Sequence, residues 1–329
     1  MTSRIHAIDN EIMKCMGQLR SMGPTLLGAP APEIRLNAGN PYEIFICGNP
    51  IKIVPHASLI VSKLGKAVVN EADTTEQGSW ELLFQLIMKF AAFKEWCHNF
   101  DHAFFIDAEM TTISILSAQF FGSRIGFIEF STDLKFKPEY CEIYKKRALE
   151  AKVVSPKNPE ISSIVFMRGA AVTVLVIITS DSGMRYSILV VQPRAAIGKF
   201  SMAELPAGMI DDSSSFSGTA AKELKEETGI TITESQLEDL TEDMGYNKVY
   251  PSCGACDEYM KFYLYRCNMG KDKLEAIQNK CTGAYEEGEN IKVKIVPFDR
   301  LAEHSPDMKT LSALYLYELR CKRRAINTR

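Results

Sequence analysis

At 329 residues the chain is about twice the ~150-residue scale of a single domain, so two units are expected. With 46% hydrophobic and 24% charged residues, its composition is that of an ordinary globular protein and excludes disordered, collagenous and repeat classes. Its 38 Lys and Arg against 41 Asp and Glu give a net charge of −3, leaving no electrostatic excess to drive binding to nucleic acid or to an anionic membrane. The nine cysteines are odd in number and scattered, and the N-terminus lacks the uninterrupted apolar run of a signal peptide. Free thiols and a cytoplasmic location are therefore expected. No segment offers the roughly 18 consecutive apolar residues of a membrane span.

In chain order, strand-like stretches are read at 42–48, 51–61, 111–122 and 123–130. Among them residues 79–100 are apolar enough for one mostly buried helix, with Ser79 as its N-cap. Two prolines and polar neighbours at 153–162 mark a connector, which places an N-terminal α+β domain at 1–155 and a second domain at 163–329. The second opens with a strand at 170–179, a turn at 180–183 and a partner strand at 185–192, a hairpin pattern. Alternation at 259–265 and 291–296 predicts two half-buried strands, with Met260, Phe262 and Leu264 inward in one and Ile291, Val293 and Ile295 in the other. A helix with a basic last turn closes the chain at 306–324.

The chemistry-bearing stretch lies at 204–230, where a strand end turns through Pro206 and Gly208 into a loop and then a helix. Glu223, Glu226 and Glu227 stand at i, i+3 and i+4, so a helix over 217–228 carries all three carboxylates on one face. Phe216, Ala220 and Leu224 form the opposite apolar stripe, and Gly229 is placed as a C-cap. Clustered carboxylates repel unless cations sit among them, and an open set of oxygen ligands suits Mg²⁺, which keeps waters and binds phosphate beside one or two carboxylates. The competing reading is a solvated acidic face, with Lys222 and Lys225 pairing neighbouring acids.

The wider spacing decides between them. The stretch resembles the Nudix box, G-x5-E-x7-R-E-U-x-E-E-x-G-U with U aliphatic, through Gly208, Glu223, Leu224, Glu226, Glu227, Gly229 and Ile230, seven of its nine fixed positions. Ser214 replaces the first Glu and Lys222 replaces Arg, and a compact ammonium cannot copy the planar fork that orients the neighbouring carboxylate. Residues 190–200, 250–258 and 286–298 look like further elements of the ADP-sugar pyrophosphatase subgroup, especially its plant-type ADP-glucose and ADP-ribose hydrolases. So does the segment at 120–130.

The resemblance implies an α/β fold, a Nudix α/β/α sandwich with a mixed sheet, preceded by a smaller α+β domain through which such proteins commonly form homodimers. It implies Mg²⁺-dependent hydrolysis of a nucleoside diphosphate sugar, ADP-ribose or ADP-glucose, to AMP and a sugar phosphate, with Mn²⁺ as a substitute metal. The Ala207 carbonyl, Glu223, Glu226 and Glu227 match the metal ligands. Arg194 matches the arginine that grips the diphosphate, against the plainer reading of a surface arginine. Glu204 and Glu258 shape the substrate pocket, and Glu289, in a loop before the last strand, occupies the position of the general base. Its rivals in sequence are Glu258, Glu286 and Glu287, and Tyr250 or Phe200 are candidates to stack on adenine. Other readings are a UDP-sugar or dinucleoside diphosphate hydrolase, or a weakly active nucleotide-sugar sensor. Cys253 and Cys256 lack a second ligand pair, so zinc is not expected, and His98 and His102 read as packing or surface residues.

Overall fold

The structure, a computed structural model, describes residues 36–37, 40–62, 76–100, 102–122, 124–161, 163–210, 215–244, 247–284 and 289–327. Ser214, Glu286 and Glu287 therefore lie outside the described residues.

The first sheet has six strands that follow chain order across it: β1 (Leu36–Asn37), β2 (Asn40–Ile46), β3 (Asn49–Ser62), β4 (Thr112–Phe121), β5 (Arg124–Thr132) and β6 (Ile164–Met167). β2 and β3 join through a two-residue turn at Cys47 and Gly48, both at positive φ (48° and 79°). Such a turn matches the twist of the strands it joins. β3 and β4 run parallel, so the chain must cross over between them, and it does so through helices α1 (Glu76–Lys89) and α2 (Ala91–His98).

These two helices replace the single helix expected over 79–100. Phe90 adopts ψ 118°, an extended conformation, and breaks the run. Helix α1 starts before Ser79, which lies inside it rather than at its cap. The break lets α2 turn Ala92, Phe93 and Cys97 into the core of the first unit. There Phe93 meets Phe130 edge to face at 6.3 Å, and Trp96 meets the same ring at 5.0 Å.

Helix α3 (Pro138–Glu150) and the connector at 153–162 are followed by β6, which still pairs with β5 of the first sheet. The two sheets part at Arg168–Ala170, three residues further on. Asp257 spans this junction by accepting the amides of Arg168 (2.8 Å) and Gly169 (3.1 Å). Gly169 has φ +83°, and a Cβ there would stand 3.0 Å from the Cβ of Ala92. This is a position where the turn and the close helix both require glycine.

The second sheet is mixed, ordered β11 (Glu238–Asp239), β12 (Met260–Asn268), β7 (Ala171–Thr179), β8 (Arg185–Arg194), β14 (Ile291–Pro297) and β13 (Cys281–Thr282). β7 and β12 run parallel along their whole length. Alternate residues of β7 divide between two layers. Val172, Val174, Val176 and Ile178 pack with Ala220 and Leu224 of helix α4 (Phe216–Thr228), whereas Leu175 and Ile177 pack with Ala313 and Leu316 of helix α5 (Met308–Asn327). This is an α/β/α sandwich.

A strand covered on both faces is apolar on both, and this accounts for a departure from the expected pattern in β12. Tyr263 and Tyr265, expected outward, are buried against the α4 side, while Met260, Phe262 and Leu264 face the α5 side. In β14 the buried positions are Ile291, Val293 and Val296, with Ile295 only half-buried.

The expected hairpin of β7 and β8 holds only beside its turn, where Arg185 pairs with Thr179 and Tyr186 with Ile178. Beyond that the strands diverge. The gap is filled by β10 (Ala207–Met209), which pairs with the start of β7, while β9 (Lys199–Glu204) pairs with β8. The opening between diverging strands is where the acidic helix delivers its carboxylates.

Candidate active site

Helix α4 begins at Ser215, whose Oγ accepts the Gly218 amide at 2.9 Å, and ends at Gly229 with φ +78°. Both ends are thus fixed by local chemistry, a side-chain oxygen for an orphan amide and a glycine for a left-handed turn. Glu223 and Glu227 stand three residues after Ala220 and Leu224, which are fully buried on the sheet, so the acidic edge borders the apolar stripe rather than lying opposite it as expected, and it runs along the gap beside β10.

Each acid meets a different constraint. Glu223 lies against the backbone of Gly208, where a Cβ would come within 2.0 Å of its carboxyl. Only glycine lets β10 approach that closely. Glu227 is 2% exposed, and its Oε2 accepts the Ala207 amide at 2.9 Å. Burial pushes its pKa well above the ordinary carboxylate value, and the nearby Glu223 and Glu289 carboxylates push the same way. Glu226 is half-buried, and its carboxylate faces the Lys222 ammonium at 3.8 Å, so the lysine at the box's arginine position pairs along the helix with Glu226.

The end of α4 is tied to the loop that carries Glu289. The Gly283 amide donates to the Glu226 carbonyl at 3.0 Å, and the Thr282 hydroxyl donates to that of Glu227. Glu289 folds back on the same loop, its Oε2 accepting the Ala284 amide at 3.0 Å.

On the opposite wall Arg194, at the end of β8, makes a two-pronged contact with Glu204 at the end of β9. Nε lies 2.6 Å from Oε1 and Nη2 lies 3.1 Å from Oε2. Lys309, in the first turn of α5, adds a contact to Oε2 at 2.8 Å. Burial alone would raise the Glu204 pKa, but Arg194 and Lys309 outweigh it and hold the carboxylate below its ordinary value.

Arg194, Glu204, Ala207, Glu223, Glu226, Glu227, Glu258 and Glu289 all line one cleft of about 1050 Å³, at the upper end of the size range of small-molecule sites. The structure thus brings these eight residues together. Glu258 occupies the end of the cleft nearest the first unit and pairs with Arg168 at 3.5 Å.

The aromatic expectation is not met. Phe200 is 84% exposed and Tyr250 rests against Tyr259, and neither lines the cleft. β9 pairs with the edge of β8 turned toward β7, opposite β14, but Phe200 near its start extends into solvent. Phe121 and Phe127 of the first sheet line the cleft instead, with Arg168 over the Phe127 ring at 5.8 Å. Sequence reasoning missed these and Lys309, since they come from distant parts of the chain with no motif between them.

Glu223, Glu226, Glu227 and the Ala207 carbonyl are oxygen donors without a His or Cys among them, which fits a hard divalent cation. Such a cation would also supply the charge that a buried Glu227 needs to ionise. Among the described residues no three acidic, His or Cys side chains are gathered closely enough to hold a metal ion by themselves, so a cation here would need the Ala207 carbonyl, water or substrate oxygens as well, and Cys253 is exposed. No described helix is long and apolar enough to cross a membrane.

The NUDIX domain family model matches residues 167–315, beginning at the last residue of β6. Nudix hydrolase 14, chloroplastic, of Arabidopsis thaliana is 36% identical over 236 residues, which cover 69% of this chain and 70% of that protein. A solved structure described as an ADP compounds hydrolase superposes with a TM-score of 0.40 at 16% identity, over 66% of this chain and 96% of its own.

Proposed function

This chain belongs to the Nudix hydrolase family, and from that premise we propose that it hydrolyses the diphosphate of a nucleoside diphosphate sugar, ADP-ribose or ADP-glucose, to AMP and a sugar phosphate. The observation that carries the reading is the convergence on one cleft of three carboxylates from a single helix turn, an Arg–Glu pair and a loop glutamate.

The geometry supports the roles that the resemblance implies. Glu223, Glu226 and Glu227, with the Ala207 carbonyl, would hold Mg²⁺, or Mn²⁺ in its place. When bound, the metal neutralises diphosphate charge and lowers the pKa of a coordinated water. Arg194 offers the guanidinium edge that suits phosphate oxygens, and Glu204 fixes that edge. Glu289 acts as general base on the attacking water, and its anchorage at Ala284 keeps the carboxylate in reach of the acidic helix. Glu258 and Arg168 shape the far end of the cleft, where the rings of Phe121 and Phe127 give the nucleoside an apolar wall.

The test is AMP release from ADP-ribose, ADP-glucose and UDP-glucose, with and without Mg²⁺. We expect metal-dependent release, faster from the ADP-sugars. Glu289→Gln should lower kcat by about 100-fold or more at nearly constant KM, the range of general-base catalysis. Faster release from UDP-glucose would favour a UDP-sugar hydrolase.

One observation favours a second reading. Lys222 pairs with Glu226 instead of presenting a guanidinium fork, so a nucleotide-sugar sensor is the alternative. It predicts binding of ADP-ribose with no metal-dependent release. We place the protein in the cytoplasm as a homodimer, and size-exclusion chromatography with light scattering tests the assembly.

A further inference from the structure

Lys309 has no place in the sequence pattern and stands 105 residues from its partner Glu204, yet it lines the cleft beside Arg194. Its ammonium is held between two carboxylates, Glu204 at 2.8 Å and Asp307 at 2.9 Å. The lysine side chain is 16% exposed, while those of Glu204 and Asp307 are 5% and 13% exposed. The first turn of α5 is pinned to the strand that carries Glu204. Ser305 Oγ donates to the Ala203 carbonyl at 2.7 Å and lies 2.9 Å from Thr310 Oγ1. Lys309 is therefore placed by the fold, whereas the Arg194 side chain remains 42% exposed toward the cleft.

Charge balance gives this placement a consequence. A buried carboxylate needs a cation. With Arg194 as its only partner, Glu204 would hold the Nε–Nη2 edge in full, leaving an incoming diphosphate the Nη1 end alone unless Nη2 were drawn away and the carboxylate stranded. Lys309 occupies Oε2, the same oxygen that accepts Arg194 Nη2 at the longer distance of 3.1 Å. Nη2 is thus the loosely held prong. It can turn to a phosphate oxygen while Lys309 keeps Glu204 compensated.

We propose that Lys309 is a positioning residue which, by sharing Glu204, leaves one prong of Arg194 available to the substrate diphosphate. This rests on the reading of the cleft as a nucleotide diphosphate site. Lys309 acts through Glu204 and does not itself touch the phosphates.

The experiment is a double-mutant cycle on the full chain with Lys309→Met, Glu204→Gln and the pair, read as kcat and KM for ADP-ribose with Mg²⁺. Lys309→Met should raise KM about tenfold, the scale of one charge-assisted hydrogen bond, with kcat nearly unchanged, and Lys309→Arg should recover most of the loss. In the Glu204→Gln background, where no carboxylate competes for Arg194, Lys309→Met should add little. The pair also removes the Glu204 charge that Lys309→Met alone would strand, so if the single variant does not fold the pair is compared with Glu204→Gln alone, and an equal KM in those two supports the assignment. An unchanged KM in Lys309→Met overturns it, as does the same tenfold penalty in both backgrounds, which would make Lys309 a direct phosphate ligand. If the wild-type protein releases no AMP, the hydrolase reading fails separately. The same cycle is then read as affinity for α,β-methylene-ADP by calorimetry, where an equal affinity of wild type and Lys309→Met, or no binding to wild type, overturns the inference.

Discussion

The two halves of the molecule bury different things. The core of the first unit is a continuous cluster of aliphatic and aromatic side chains, with Phe93 and Phe130 fully buried in it and Trp96 packed against them. Among the described residues, every buried polar or charged side chain lies at Thr173 or beyond, including Glu204, Glu227 and Arg320. Burying such groups costs free energy unless each finds a partner. The second unit meets that cost with specific pairings, Glu227 with the Ala207 amide and Glu204 with Arg194 and Lys309. One half is built for stability, while the other carries the polar burial that chemistry demands.

Four substitutions sharpen or break this contrast. Glu227→Gln should have the largest effect on turnover, lowering kcat by at least about 100-fold, or ~2.7 kcal/mol, in an AMP-release assay. It should cost little stability. The folded-state pKa of Glu227 is raised, so its contribution to stability is fully present below the ordinary carboxylate value of about 4.3 and is lost as pH rises through the folded value. In metal-free buffer the melting temperature of the wild type should therefore fall as pH rises above that range, and Glu227→Gln should flatten the decline. A Gln variant that melts far lower at neutral pH would break the contrast.

Phe93→Ala is the converse. It should cost ~3–5 kcal/mol in urea unfolding, as large truncations in tight cores do, and leave kcat of the folded fraction within about twofold, below the ~1.4 kcal/mol that marks a tenfold change. Gly208→Ala should lie between the two. Its Cβ cannot coexist with the Glu223 carboxyl, so overpacking should cost ~1–3 kcal/mol and displacement of Glu223 should lower kcat/KM by about 10- to 100-fold. Ser215→Ala, which removes the α4 cap, should have the smallest effect, ~1 kcal/mol in thermal melts.

What was legible in the sequence was local. The α4 helix, its C-cap Gly229 and its acidic face depend on residues within four positions of one another, so periodicity and spacing suffice. The close approach of Gly208 to Glu223 was implied by the box without its reason, which is a contact between a strand and a helix fifteen positions on. The tyrosines of β12 read as outward because alternation tells one face from the other but not whether a second helix layer covers it. The break at Phe90 has no proline or glycine to announce it. Phe121 and Phe127 lie in the 120–130 segment that resembles the subgroup, but only folding brings them to the cleft, and no local pattern marks Lys309.

The junction at Arg168–Ala170 carries one more consequence. Three residues separate a strand of one sheet from a strand of the other, and the Asp257 carboxylate clamps two of their amides. A tether that short gives the halves little room to come apart independently. Melting should therefore be a single cooperative event, and a ligand seated in the cleft should protect the first sheet together with the second, including strands it never touches.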